Sequence, residues 1–417
     1  MEVFRPRNAR IASIDPGRNS KGNVDLNLNK QWNGLWRGGV ASICVRSFLI
    51  VLIVAAAGLQ THSTEATNRV RGSITYMRDE VPDVPWAIHI VKVSRAQGDL
   101  RFETTLGLGK QIGMGLVSDQ VKALPVEAGR PLAAINGDFY NTHHPRYPGD
   151  PDGLQIARGE LVSAPTNTRS CFWIDGAGNP HVEAVQSLFA ATLSDGTILP
   201  FGLNEARRNG DIVLYTRANG SSTRTSGGGL ELVLTRGGET NWLPLRIGQT
   251  YTARVRKVRT DGNAPLDDET IVLSAGTQVS PRLAGVKVGD TLKIATTTKP
   301  NLAGSPTAIG GGPALVHEAK ARKFDGIPTR HPRTAVGWSK QFFFLVEVDG
   351  RQKTSAGMSY QELATYMANL GCDEAINLDG GGSATIWVYG QVMNNPSEGQ
   401  PRPAANALVI VRKDQAD

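Results

Sequence analysis

Regular placement of apolar residues sets in at Trp86, where Ile88-His89-Ile90-Val91-Lys92-Val93 reads as a strand. Short runs of the same kind follow at residues 159–162, 171–174, 212–215, 230–234 and 270–273, each bounded by Gly, Pro, Asn or Asp. Residues 250–258 alternate over a longer strand. Two segments carry a helical pattern instead, at about residues 117–124 and 359–370. The second opens on Ser359 as N-cap with Glu362 three residues on, the pair of a capping box, and Gly371 stops it. Strands outnumber helices and no regular βα alternation is present. The pattern therefore predicts an α+β fold, β-rich, with mixed sheets and a few helices.

The run Phe48-Leu49-Ile50-Val51-Leu52-Ile53-Val54-Ala55-Ala56-Ala57 breaks this pattern, being apolar on every side. It follows Arg37 and Arg46 and is short of the roughly 20 residues of a comfortable membrane span. Residues 1–57 are read as a leader, either a secretory signal with cleavage near Ala57 or an uncleaved anchor through residues 48–59. Both readings place the protein outside the cytoplasm, periplasmic or extracellular. Residues 58–85 read as a linker and 86–413 as the folded domain, with a β-rich insertion at 236–299.

Composition alters this picture in two places. Gly (47) and Pro (23) together make about 17% of 417 residues, which implies many turns. The formal charge of +7 belongs mostly to the leader, because residues 58–417 hold 37 Lys or Arg against 35 Asp or Glu. A nearly neutral body gives no support to nucleic acid as a partner. Of three cysteines Cys44 lies in the leader, and Cys171 and Cys372 can pair or stay as buried thiols. No set has zinc spacing.

Chemistry concentrates at four strand ends. Leu132-Ala133-Ala134-Ile135 runs into Asn136-Gly137-Asp138. Ala308-Ile309 runs into Gly310-Gly311-Gly312-Pro313. Arg333-Thr334 opens Ala335-Val336-Gly337-Trp338, and Ala375-Ile376-Asn377-Leu378 runs into Asp379-Gly380-Gly381-Gly382-Ser383. Adjacent glycines weaken a strand and serve where φ turns positive or another group must come close. Four polar or glycine-rich tips in one chain predict one composite pocket.

These motifs, in this order, with Val348-Asp349-Gly350-Arg351 and Ser355-Ala356-Gly357-Met358-Ser359 between them, resemble the phosphodiester glycosidase family. That is the family of the lysosomal uncovering enzyme, and its bacterial relatives carry exopolysaccharide-biosynthesis labels. The resemblance covers roughly residues 88–411. It implies hydrolysis of the glycosidic bond in a sugar 1-phosphodiester, with a sugar phosphate or phosphoglycan as partner. It calls for no cofactor, and leaves a divalent cation open.

The candidates divide by chemistry. Asp379, Asp138 and Glu231 are the candidate catalytic carboxylates. Asp379 can otherwise cap its glycine turn, and Asp138 can otherwise close an Asx-turn. Glu231 lies among apolar residues, either exposed on an alternating strand or an acid in a pocket. Substrate contacts are expected from Asn136, Arg333, Thr334, Gly310, Gly311, Gly312, Asn377, Gly380, Gly381, Gly382 and Ser383. Arg333 supplies the planar fork that suits a phosphate, and amides beside the glycines suit an oxyanion. Ser383 lacks the Gly-x-Ser-x-Gly elbow of a nucleophile. His143-His144 read as a solvated loop, and no metal ligand is assigned. Two rival readings are an envelope protein that binds anionic glycans without turnover, and a metal-dependent phosphodiesterase cutting P–O.

Overall fold

The computed structural model describes residues 69–71, 74–166, 168–238 and 242–413. The leader, with its signal or anchor, lies outside the described residues. No described helix is long and apolar enough to cross a membrane.

Four larger sheets carry the fold. One has eight strands, ordered Arg69–Arg71, Ile74–Val81, Trp86–Ser94, Phe342–Val348, Arg333–Trp338, Glu374–Asn377, Ala314–His317 and Lys320–Ala321. A five-stranded sheet sets Arg130–Asn136 between Ile386–Val388 and Ala407–Arg412. A second five-stranded sheet sets Thr307–Gly310 between Ser170–Ile174 and Gln155–Ala157. The inner faces of these three share one core, including Val91, Leu345, Val336, Ile376, Ile135, Leu408, Phe172 and Ile309. The other face of the eight-stranded sheet packs on the helix Tyr360–Asn369 through Ile90, Val346, Ala375, Leu363 and Met367. A sheet covered on both faces needs apolar side chains at successive positions. That is why Ala375 and Ile376, neighbours in sequence, are both fully buried, one toward the helix and one toward the strand core.

The helix is legible in its caps. Ser359 accepts from the Glu362 amide at 3.2 Å, and the Glu362 carboxylate accepts from the Ser359 amide at 2.9 Å. Such a cap is worth about 1 kcal/mol. Gly371 ends the helix at φ 93°.

Three expectations change. The chain is β-rich with few helices, but its ladders are antiparallel, and among the described residues Gly202–Leu203 with Ile212–Tyr215 is the parallel exception. The linker is shorter than 58–85, because Ile74–Val81 pairs along its length with Trp86–Ser94 and buries Ile74 and Tyr76. The β-rich insertion is wider than 236–299. Its eight strands run from Ala190–Thr192 to Thr291–Ala295 around a second large core.

Candidate active site

Asn136 gathers three strand ends. Its side-chain oxygen accepts from Thr334 Oγ1 at 2.7 Å and from the Thr385 amide at 3.0 Å, and its NH2 donates to Asp379 O at 2.7 Å. The Asp379 amide donates to Gly137 O at 2.9 Å. The loops carrying Asp138 and Asp379 are thereby side by side, although 241 positions separate them.

Asp138 is 1% exposed. Its amide is held by Asn406 Oδ1 at 2.8 Å, and its Oδ1 accepts from the Phe139 amide at 2.8 Å. Its Oδ2 has no hydrogen-bond partner. Burial pushes the carboxyl up to about 7, Arg169 pulls it down, and Asp152 adds a smaller upward push. Arg169 Nη2 stands 3.9 Å from Asp138 Oδ1, its Nη1 is 2.9 Å from Asp152 Oδ2, and its guanidinium lies 4.4 Å from the Phe139 ring. Asp379 is partly buried, and burial raises its carboxyl above the usual range. Ser383, the Gly380 amide at 2.9 Å, Arg402 and Arg169 favour its anion. Arg402 Nη2 donates to Ser383 Oγ at 2.8 Å. The site thus holds two carboxyls displaced upward, with two guanidiniums acting on Asp379 and one of them shared with Asp138. That is equipment for proton transfer beside an anionic group.

Four of the six glycine amides already have partners within the fold. The Gly311 amide is taken by Ser170 O, the Gly312 amide by Asn377 O and the Gly381 amide by Pro332 O. The Gly380 amide is taken by Asp379 itself. What these residues supply is the missing side chain. A Cβ on Gly310 would collide with Asp138 Oδ2, and one on Gly311 would stand 2.7 Å from Asn377 O. A Cβ on Gly382 would collide with Glu398 and press on Arg402 at 2.9 Å. Gly312, at φ 121°, and Gly381, at φ 61°, are where positive φ is required. Asn377 donates to Gly312 O at 3.0 Å and to Leu378 O at 2.6 Å, and leaves its buried Oδ1 without a partner.

Arg333 is buried and already engaged. Its Nε donates to Met358 O at 2.8 Å and its Nη2 to Thr329 O at 3.3 Å, with the guanidinium 4.0 Å from the Tyr360 ring. These bonds hold the entry to the capped helix. Arg333→Lys should therefore lower turnover of a sugar phosphodiester and of an aryl glycoside of the same sugar by similar factors, with a fall in Tm. Arg402→Gln should lower phosphodiester turnover selectively, and parallel kinetics on the two substrates check both.

Glu231 is not brought to this cluster. It lies at zero exposure in the second eight-stranded sheet and accepts from Thr225 Oγ1 at 2.8 Å, Ser274 Oγ at 3.0 Å and the Ala264 amide at 2.9 Å. A carboxylate met by three donors is a built structural anchor. Ser383 Oγ faces Tyr140 Oη at 3.4 Å, Arg402 and the Asp379 carboxyl, which it steadies as an anion. His143 is exposed, His144 is partly buried against the Tyr147 ring, and Cys171 and Cys372 are separate buried thiols.

Sequence reasoning missed Arg169, Arg402 and two aspartates. Arg169 precedes the strand Ser170–Ile174 just as Arg333 opens its own, so the same signal was available. Arg402 sits in a loop with no pattern to mark it. Asp150 and Asp152 punctuate a Pro-Gly turn; burial with Glu205 and Asp152 nearby pushes Asp150 up to about 8. Beside the site, a groove of about 430 Å³ is lined by Arg169, Ser170, Gly311, Gly312, Arg322 and Lys323, among others.

Comparison with known proteins agrees with the motif resemblance. Residues 247–411 match the family model described as phosphodiester glycosidase. The SPbeta prophage-derived uncharacterized protein YomE of Bacillus subtilis strain 168 is 32% identical over 117 residues, which is 27% of this chain and 18% of YomE. Among solved structures, a hypothetical protein from Synechocystis superposes with TM-score 0.68 at 19% identity, over 84% of this chain and 64% of that one. A candidate exported protein of Burkholderia pseudomallei K96243 superposes with TM-score 0.62 at 21% identity, over 80% and 74%. The chain thus spans under a fifth of the curated relative and under two thirds of the first solved structure. These structures share the fold.

Proposed function

We propose that this chain, whose residues 247–411 carry the phosphodiester glycosidase match, hydrolyses the glycosidic bond of a sugar 1-phosphodiester. The observation that carries the reading is that Asp138 and Asp379 sit on adjoining loops with Arg169 acting on both. One carboxyl is wholly buried with its ionisation moved to about 7, and the other is held beside Arg402 and Arg169.

In this reading a phosphate oxygen of the substrate rests against Arg402 and Arg169, with the sugar over the loop of Gly380, Gly381 and Gly382. Arg322 and Lys323 extend the positive lining toward the rest of the phosphoester. A phosphate monoester is a good leaving group because its own oxygens spread the charge, so the site must supply charge stabilisation more than a strong acid. Asp379, whose anion has the larger set of partners, attacks the anomeric carbon or takes the proton of an attacking water. Asp138 exchanges the second proton. In the net reaction the water oxygen bonds to the anomeric carbon, the C–O bond breaks, and the phosphate leaves with the electron pair.

Hydrolysis in oxygen-18 water tests this. The label is expected in the sugar hydroxyl released from a sugar 1-phosphodiester; label in the phosphate would mean P–O cleavage and would overturn the reading. Envelope or exported glycans are the proposed substrate source, on the strength of the apolar run 48–57 and an exported-type fold neighbour. A mature N-terminus at Met1 in the cytosol would sink that part.

A further inference from the structure

A second polar cluster lies inside the strand core, unused by the chemistry above. His89, on the strand Trp86–Ser94, stands directly across the ladder from Glu347. Asp349 follows two residues after Glu347, the spacing that keeps both on one face of a strand. One ligating atom from each of the three lies within 4.8 Å of the other two. Their exposures are 2%, 0% and 3%.

The bonding around the cluster is one-sided. Asn394 Nδ2 donates to Glu347 Oε1 at 3.2 Å, and the Asn395 amide donates to Asp349 Oδ1 at 2.9 Å. Each carboxylate therefore has an outer oxygen held by an asparagine residue. Asp349 Oδ2 has only His89 Nε2, at a long 3.4 Å. Glu347 Oε2 has no partner at all and no solvent. A buried carboxylate oxygen with nothing to accept from calls for an explanation, and an ion is one. His89 Nδ1 meets Tyr76 Oη at 2.8 Å. With Nδ1–H donating to the tyrosine, Nε2 presents its lone pair to the carboxylates. A hydrogen bond on the far nitrogen is how ligating histidines are held in their tautomer.

We propose that His89, Glu347 and Asp349 bind one divalent transition-metal cation, Zn²⁺ or Mn²⁺, as a structural centre behind the candidate active site. One imidazole nitrogen with two carboxylates is a donor set for these ions, and is poorly suited to Cu(I), which selects sulfur. The cation neutralises two carboxylates that have been taken out of water together. Its reach to the site is short. Asn394, which holds Glu347, also accepts from the Ile386 amide at 3.0 Å and donates to Ala384 O at 3.1 Å. Ala384 follows Ser383 directly, so the centre braces the loop of Gly380, Gly381 and Gly382 without touching substrate. The sequence hides this site, because His89 is 258 positions from Glu347 and an i, i+2 Glu-Asp pair on a strand end reads as surface charge.

The experiment uses the full chain, expressed with ZnCl2 or MnCl2 supplied, stripped with chelator and reloaded with each salt alone. Elemental analysis after dialysis is expected to give about one equivalent of one of the two metals, and reloading should raise Tm, since a ligand of the native state stabilises it. Glu347→Gln should weaken binding by at least about 100-fold while His143→Ala, in an exposed loop, leaves it unchanged. If Glu347→Gln does not fold, His89→Gln takes its place. Wild-type protein that holds neither metal, or equal uptake by the wild type and a folded Glu347→Gln, overturns the proposal in favour of a protonated Glu347. Should neither variant fold, wild-type stoichiometry decides. The outcome is independent of glycosidase activity, so this centre and the proposed reaction can fail separately.

Discussion

Asp138→Asn is expected to cost activity and to gain stability. A residue that moves a proton in the rate-determining transition state is worth about 10²–10⁴-fold, so kcat/KM on a sugar 1-phosphodiester should fall by that factor. The stability change follows from burial. The folded protein raises the Asp138 carboxyl from its ordinary 3.8 to about 7. A group raised on folding favours the native state in its neutral form, fully below the unfolded value. That advantage is lost as pH climbs through 4 to 7, where the unfolded chain ionises readily and the folded one resists. At pH 8 the wild type therefore carries an ionisation cost, with a ceiling of about 4 kcal/mol for roughly three pH units. Asparagine does not ionise. Asp138→Asn should melt several degrees above wild type at pH 8, and the gap should close toward pH 4. Thermal melts across that range, beside kinetics, check it; a variant less stable than wild type at pH 8 would mean that the carboxylate is anchored by contacts stronger than its desolvation.

Asp379→Asn is expected to lose a similar 10²–10⁴-fold in turnover, with a gain in Tm at high pH of the same sign as for Asp138→Asn but smaller. Its carboxylate is partly buried and has Ser383, the Gly380 amide, Arg402 and Arg169 around it, so the cost of ionisation in the fold is offset in part and the carboxyl stays above its usual range. The substitution removes charge at nearly constant volume and keeps an acceptor for the Gly380 amide. More than about a tenth of wild-type kcat/KM in a variant with at least wild-type Tm would remove Asp379 from the chemistry. The two aspartates are thus separable by degree: loss of turnover is expected from both, and the larger pH-dependent thermal signature from Asp138.

What could be read from the chain was what local pattern dictates. The strand Ile212–Tyr215 and the capped helix Tyr360–Asn369 have their causes within a few residues. The grouping of Asn136, Thr334, Asp379 and Ser383 was legible too, since a carboxylate and three glycines at a strand end are costly to keep without a purpose. The role of those glycines was not legible. Sequence says that a glycine is present, but whether its amide is free depends on which strand passes alongside, and here Ser170, Asn377 and Pro332 take the N–H groups. The engagement of Arg333 was hidden for the same reason: its partners Met358 and Thr329 come from loops whose course no local rule sets. Glu231 looked ambiguous because its three donors, Thr225, Ser274 and Ala264, arrive from elsewhere in the chain. The pairing of Ile74–Val81 was missed although its Ile-Thr-Tyr start alternates, because a polar composition around it outweighed a short pattern.

The amide of Asn136 binds three strand ends at once, through Thr334, Thr385 and Asp379. None of these ends can loosen by itself without stranding a donor or an acceptor in a place water does not reach, at about 1–3 kcal/mol for each group left unmet. Local openings that would unfasten one loop at a time are therefore suppressed, and the strand ends open together or stay shut. The strand ends of the candidate site are thus tied into one cooperative unit, and hydrogen exchange at their amides is expected to report a common opening.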